Sequence, residues 1–216
     1  MTTIWPSILA ADILNIQHQL ECLVTYGVHQ IHLDIMDNHY VPNLSFSPDL
    51  CKAITTKFPG LKIDVHLMTR PVDNLIISFA QAGAHRISIH ADATQHLNYS
   101  LNLIKQEGLE AGLAINPGED ITHLDWCHHQ LDFALMMTVN PGFGGQKLLP
   151  HVIEKIARVH HLFPNLPQMV DGGINLNNIQ SLKLAGAQQF VIGSSLFKAE
   201  NFPHSIYEFL RATQHS

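Results

Sequence analysis

Ile31-His32-Leu33-Asp34-Ile35-Met36 alternates aliphatic side chains with polar or soft ones, and Ile63-Asp64-Val65-His66-Leu67-Met68 repeats the pattern further along the chain. Successive side chains of an extended strand point to opposite faces. Ile31, Leu33 and Ile35 therefore share one side of the first segment, and His32, Asp34 and Met36 the other. In the second, Ile63, Val65 and Leu67 stand opposite Asp64, His66 and Met68. Two strands that each carry imidazole and carboxylate on one face can supply part of a metal site.

Working outward, short aliphatic or β-branched runs recur, separated by longer segments of helical periodicity, which is the signature of repeated βα units on a parallel sheet. The spacing predicts strands near 4–9, 30–36, 61–67, 85–90, 109–115, 132–139, 167–171 and 188–192. Helices are expected over 12–26, 47–58, 72–82, 95–107, 119–130, 147–162, 176–185 and 203–213. Asp12 before Ile13-Leu14 and Asn177 near Ile179 read as start signals, and Gly27, Gly83, Gly108 and Gly186 as stops. Eight units in 216 residues suit a single-domain (β/α)8 TIM barrel over residues 1–216. A doubly wound open sheet competes, but its dinucleotide-binding version would need GxGxxG at the first βα turn, and the chain has none there. In a barrel, Ile31, Leu33 and Ile35 pack on the helices while His32, Asp34 and Met36 point inward.

Composition narrows the function. Hydrophobic residues make up 46% and charged residues 14%, which favours a compact globule over a disordered chain. The formal charge of −6 and the lack of a basic run remove the electrostatic footprint of a nucleic-acid binder. An anionic substrate therefore needs local donors. Cys22, Cys51 and Cys127 are odd in number and widely spaced, which suggests neither a disulfide framework nor a thiolate metal site and fits a reducing cytoplasm. No segment approaches the roughly 18 apolar residues of a membrane span, and the first residues lack a signal-peptide pattern.

The barrel turns distant residues into neighbours at the carboxyl ends of the strands, where chemistry sits in this fold. His32 and Asp34 end the second strand, His66 the third and Asp171 the seventh. Two imidazoles and two carboxylates can hold one divalent cation, and mixed nitrogen and oxygen ligation suits zinc, iron, manganese or cobalt better than calcium. The competing reading makes the histidines hydrogen-bonded core residues. Asp171-Gly172-Gly173-Ile174-Asn175 and Gly193-Ser194-Ser195 follow strands seven and eight, where barrel loops bind phosphate through backbone N–H groups. Gly144 and Gly145, in Asn140-Pro141-Gly142-Phe143-Gly144-Gly145-Gln146, are further donors. That stretch reads equally as a hinged loop closing over substrate and as a rigid turn with Phe143 packed into the body. Met36, Met68 and Met137 read as core filler or as an apolar wall that excludes water beside a developing anion. Asp64 is a candidate to orient His66 or a neighbour.

Seven ordered motifs then resemble the ribulose-phosphate 3-epimerase family almost end to end. They are Pro6 through Asp12 (PSILAAD), His32 through Asn43 (HLDIMDNHYVPN), Asp64 through Met68 (DVHLM), Asn116-Pro117, Met137 through Lys147 (MTVNPGFGGQK), Asp171 through Ile174 (DGGI) and Gly193-Ser194-Ser195. The resemblance implies a (β/α)8 barrel that interconverts D-ribulose 5-phosphate and D-xylulose 5-phosphate with one divalent metal. It implies metal ligands at His32, Asp34, His66 and Asp171, and acid/base carboxylates at Asp34 and Asp171. It implies substrate contacts at Ser7 and His66, and phosphate contacts at Gly144, Gly145, Gly172, Gly173, Gly193 and Ser194. The methionines match Met36, Met68 and Met137, and the family commonly self-associates, which implies a homo-oligomer. Asn38 and Tyr40 replace the family's usual glycine and phenylalanine, and Asp92 stands where glutamate is more frequent.

Overall fold

Eight parallel strands form one sheet in the order β1-β8-β7-β6-β5-β4-β3-β2. The computed structural model describes residues 2–214. The units run β1 (Thr3–Pro6), α1 (Ile16–Thr25), β2 (Gln30–Met36), α2 (Pro48–Lys57), β3 (Lys62–Met68), α3 (Asp73–Gln81), β4 (Arg86–His90) and α4 (Leu97–Gln106). They continue with β5 (Glu110–Ile115), α5 (His123–Cys127), β6 (Phe133–Met137), α6 (Val152–Leu162), β7 (Gln168–Asp171), α7 (Ile179–Leu184), β8 (Gln189–Ile192), α8 (Ser194–Phe197) and α9 (Phe202–Gln214). An isolated parallel bridge between Ser7 and His32 brings the first and second strands together, so the sheet curls into a nearly closed barrel. Among the described residues no helix is long and apolar enough to cross a membrane.

The alternation in β2 and β3 divides the molecule into two layers. Ile31, Leu33, Ile63, Val65 and Leu67 are wholly buried against Leu20 and Leu23 of α1, Cys51 and Ile54 of α2, and Ile76 and Phe79 of α3. Each such side chain contributes on the order of 1.5–3 kcal/mol of hydrophobic stabilisation. Inside the barrel, Trp5, Phe133, Leu135, Met137, Met169 and Val191 form a separate cluster. The polar residues of β2 and β3 complete this inner layer. Parallel pairing sets His32 beside Asp64, Asp34 beside His66 and Met36 beside Met68.

Several expected boundaries move, each for a local reason. The helix expected over 12–26 begins at Ile16, because the Asp12 carboxylate accepts the Leu14 N–H and the Asp12 carbonyl accepts the Asn15 N–H, closing a turn instead. Ile13 and Leu14 are left exposed. The strand expected over 4–9 ends at Pro6 and yields to a 3-10 turn over Ile8–Ala10. The helix expected over 119–130 contracts to His123–Cys127 with a 3-10 turn over His128–Gln130, since the Glu119 carboxylate folds back to accept the Asn116 N–H. Leu149 is tied by its N–H to the Thr138 carbonyl, which delays α6 from 147 to Val152. Asn178, not Asn177, precedes α7. The unexpected α8, at four residues, is too short to show a helical period. Gly27, Gly83, Gly108 and Gly186 follow their helices with positive φ, as expected of stops.

Candidate active site and metal centre

Polar side chains converge where β2, β3 and β7 end. His32 Nε2 lies 3.3 Å from Asp34 Oδ1 and 3.7 Å from Asp171 Oδ2. His66 Nδ1 lies 3.6 Å from Asp34 Oδ1 and 3.8 Å from Asp171 Oδ2. The four ligand atoms all fall within 4.8 Å of one another. Neither His32 Nε2 nor His66 Nδ1 has a hydrogen-bond partner although both are buried, a costly state unless something satisfies them. Donors on a common ion at roughly 2.0–2.2 Å stand no more than about 4.4 Å apart. The four histidine–aspartate pairs meet that limit and the other two come within 4.8 Å, so the group could hold one divalent metal ion.

The two carboxyl groups are driven in opposite directions. Burial raises the Asp34 carboxyl, but the charge of His32, 3.3 Å away, with help from His66, outweighs it and holds the group well below the usual carboxylate range. Asp171 is pushed up to about 7, first by burial and then by the Asp34 charge, with His32 opposing. Before any cation arrives, the pair is therefore one carboxylate and one acid that titrates near neutrality. Ser7 Oγ donates to Asp34 Oδ2 at 2.6 Å. Ser45 Oγ donates to the Asp34 carbonyl at 2.5 Å and accepts the Met36 N–H, locking the end of β2.

Both histidines are held from behind. His32 Nδ1 lies 2.6 Å from Asp64 Oδ2, so Asp64 orients His32 rather than His66. His66 Nε2 pairs instead with His90 Nε2 at 2.8 Å. Burial, then the His66 charge, keeps His90 neutral well below the ordinary histidine value. Sequence reasoning missed His90 as a support, since a single histidine closing an aliphatic strand carries no periodic signal. It missed Arg86 too, whose Nε donates to Asp64 Oδ1 at 2.8 Å.

A cavity of about 240 Å³ opens above Asp34 and Asp171. Ser7, Met36, Met68 and Met137 line it, and His32 and His66 lie buried behind its wall. Gly144, Gly145, Gly172, Gly173, Gly193 and Ser194 also line it, so every loop residue expected to meet phosphate reaches one space. A side chain on Gly145 would stand 3.8 Å from Ser194 Oγ, which places the loop after β6 against the one after β8. Gly172 and Gly173 have φ of 119° and 64°. Added Cβ atoms would lie 2.3 Å from Val139 Cγ2 and 2.4 Å from the Leu148 nitrogen, so only glycine lets these loops meet. Gln146 Nε2 braces the loop by donating to the Asn140 and Phe143 carbonyls, and Asn43 Nδ2 donates to Gly142. Phe143 is 55% exposed at the cavity, not packed into the body.

The departures noted in sequence are accommodated by local contacts. Asn38 adopts a φ of 57°, a region asparagine tolerates after glycine. Tyr40 Oη donates to Asp92 Oδ1 at 2.8 Å and accepts from Asn116 Nδ2, so two separate differences form one hydrogen-bonded group.

The model of the ribulose-phosphate 3 epimerase family matches residues 3–197. The chain belongs to this family. It is 45% identical over 201 residues to the ribulose-phosphate 3-epimerase of Buchnera aphidicola subsp. Acyrthosiphon pisum, covering 91% of this chain and 88% of that one. It is 40% identical over 207 residues to the Escherichia coli enzyme of the same name, covering 94% and 92%. The family assignment makes the protein an isomerase, an epimerase by activity. Among solved structures, a mutant tryptophan synthase alpha-subunit from Pyrococcus furiosus superposes with a TM-score of 0.75 at 16% identity, over 97% of this chain and 98% of that one. The 3-hexulose-6-phosphate synthase from Salmonella typhimurium reaches 0.73 at 13% identity, over 99% and 98%. At such identity these two speak to the shared barrel alone.

Proposed function

We propose that the enzyme interconverts D-ribulose 5-phosphate and D-xylulose 5-phosphate by moving a proton at C3, as one barrel domain with His32, Asp34, His66 and Asp171 holding one divalent ion. The observation that carries this reading is the pair of carboxyls, Asp34 and Asp171, that line one cavity with an oxygen of each 3.3–3.8 Å from both His32 and His66. Inverting a carbon next to a ketone needs a base on one face and an acid on the other. One aspartate takes the C3 proton to leave an enediolate, and the other returns a proton from the opposite side. When bound, a zinc, iron, manganese or cobalt ion supplies positive charge that stabilises the oxygens of that intermediate by several kcal/mol. Ser7 orients Asp34 and contacts the sugar, with His66 beside it. Met36, Met68 and Met137 exclude water from the reacting carbon. Gly144, Gly145, Gly172, Gly173, Gly193 and Ser194 bind the phosphate through backbone N–H groups and the serine hydroxyl.

A lyase using a lysine near the strand-end acids is disfavoured, because Lys62 sits at the opposite end of β3 and neither it nor Lys147 lines the cavity. The reading places the protein in the cytoplasm, where its three free cysteines would stay reduced. It includes self-association, for which exposed Ile13, Leu14 and Leu44 offer apolar surface. The deciding experiment is proton NMR of ribulose 5-phosphate with the enzyme in deuterated water, alongside elemental analysis of the protein. Loss of the C3 proton signal with growth of xylulose 5-phosphate, and about one metal ion per chain, is expected. Faster turnover of a six-carbon ketose phosphate would change the substrate, and full activity without metal would remove the ion.

A further inference from the structure

His32, Asp64 and Arg86 occupy one level of the barrel on three adjacent strands, since His32 pairs with Asp64 across β2 and β3, and Asp64 with Arg86 across β3 and β4. Arg86 is only 3% exposed, and Asp64 and His32 are wholly buried. A guanidinium in this position needs specific accommodation, and the inner layer provides it. The Arg86 Cζ lies 3.6 Å from the centre of the Phe133 ring and 4.3 Å from that of Trp5. Flat aromatic faces attract a weakly hydrated, planar cation. Phe133 can lie there because its neighbour on β5 is Gly112, where a Cβ would fall 2.3 Å from the ring. One nitrogen, Nη2, rests 3.0 Å from Met169 Sδ, and Nε donates to Asp64 Oδ1 at 2.8 Å.

The consequence appears at the other end of the carboxylate. With Oδ1 taken by Arg86, Asp64 presents Oδ2 to His32 Nδ1 at 2.6 Å. That contact fixes the plane of the imidazole and leaves Nε2, which has no hydrogen-bond partner, facing Asp34 and Asp171. We propose that Arg86 is a positioning residue for metal binding, acting through Asp64 to hold His32 Nε2 in place as a ligand atom. Carboxylates behind ligating histidines raise ligand basicity and fix orientation. Here the carboxylate is itself held by a cation packed on two aromatic rings. The inference rests on the proposed metal reading of the site.

Cobalt(II) titration of the metal-stripped protein, followed by visible absorption and calorimetry, tests it. Thermal melting of each metal-free sample reports whether the fold is affected separately. The parent is expected to take up one cobalt ion, and Arg86→Met to weaken that binding by about 10–100-fold. Arg86→Lys keeps the charge but loses the flat fork, and should recover part of the affinity. A purely structural Arg86 would lower the melting temperature of both variants and leave their cobalt affinity within about twofold of the parent, which overturns the proposal. If Arg86→Met does not fold, Arg86→Lys decides alone: a loss above about threefold supports the role, and a smaller one overturns it. Failure of the parent to bind cobalt would sink the metal reading itself, whereas equal binding by parent and variants would sink only the role of Arg86.

Discussion

Asp34 and Asp171 are the same residue type in the same site, and their neighbours alone make them differ. Asp34 sits nearer His32 and accepts from Ser7, while Asp171 faces burial and the Asp34 charge with less compensation. Asp171→Asn keeps the size and removes the proton-transfer group. It should lower kcat by at least about 10²-fold, since positioned acid/base groups contribute roughly 10²–10⁴-fold. Exchange of the C3 hydrogen with deuterated solvent should slow from at least one epimer, read by NMR on samples of known metal content. Turnover near the parent rate would remove Asp171 from the mechanism. Asp34, Asp171, His32 and His66 were legible because strand alternation puts them on an inner face at strand ends. Of the supports behind them, Asp64 was legible as an orienting group but its histidine was not, and His90 and Arg86 were missed. Asp64 pairs with His32 instead of His66 because parallel register sets those two side by side, and register depends on the assembled sheet.

Elements were legible where their periodicity was long, and their ends were not, because side-chain hydrogen bonds decide the ends. The cavity wall depends on such ends. Gly173 takes a φ of 64°, and an added Cβ would also lie 2.8 Å from the Gln146 carbonyl oxygen, so the loops after β6 and β7 meet backbone to backbone. Gly173→Ala must therefore part them, and a displacement on the order of 1 Å can cost up to about 10²-fold in kcat/KM. Steady-state kinetics with ribulose 5-phosphate should show that loss; parent kinetics would mean the phosphate does not use this loop pair. Elsewhere, Lys155 of α6 donates to the carbonyls of Asn116, Pro117 and Glu119 at 3.0, 2.6 and 2.6 Å, pinning the helix to the loop after β5. Lys155→Met leaves those acceptors unpaired, and should cost about 1–3 kcal/mol in urea unfolding. An unchanged midpoint would show that water replaces the ammonium without penalty.

For the whole molecule, the same cluster ties folding stability to pH. Burial favours the neutral form of His32, but Asp34 and Asp64 outweigh it and raise the group well above its ordinary value of 6.5. A raised histidine contributes stability that is fully present below its unfolded value and is lost as pH rises through the folded one. Asp171, pushed to about 7, keeps a proton that the unfolded chain releases near 3.8, so it too loses stability as pH climbs between those values. His66 and His90, both lowered chiefly by burial, carry the opposite sign, because the unfolded chain takes up protons that the native state refuses. Their contribution is complete above about 6.5, where both states are neutral. The depressed Asp34 likewise stabilises above 3.8 and is lost only in acid. From about 6.5 upward the losses of stability from His32 and Asp171 stand alone, so the metal-stripped protein should melt at steadily lower temperature as pH is raised toward 8. A cation held by the same residues replaces the protons they give up, and binds better as they deprotonate. Calorimetry of stripped and cobalt-loaded samples should therefore show a gap in Tm that widens with pH. A gap that narrows over this range would mean that deprotonating His32 and Asp171 is not what prepares the site for a cation.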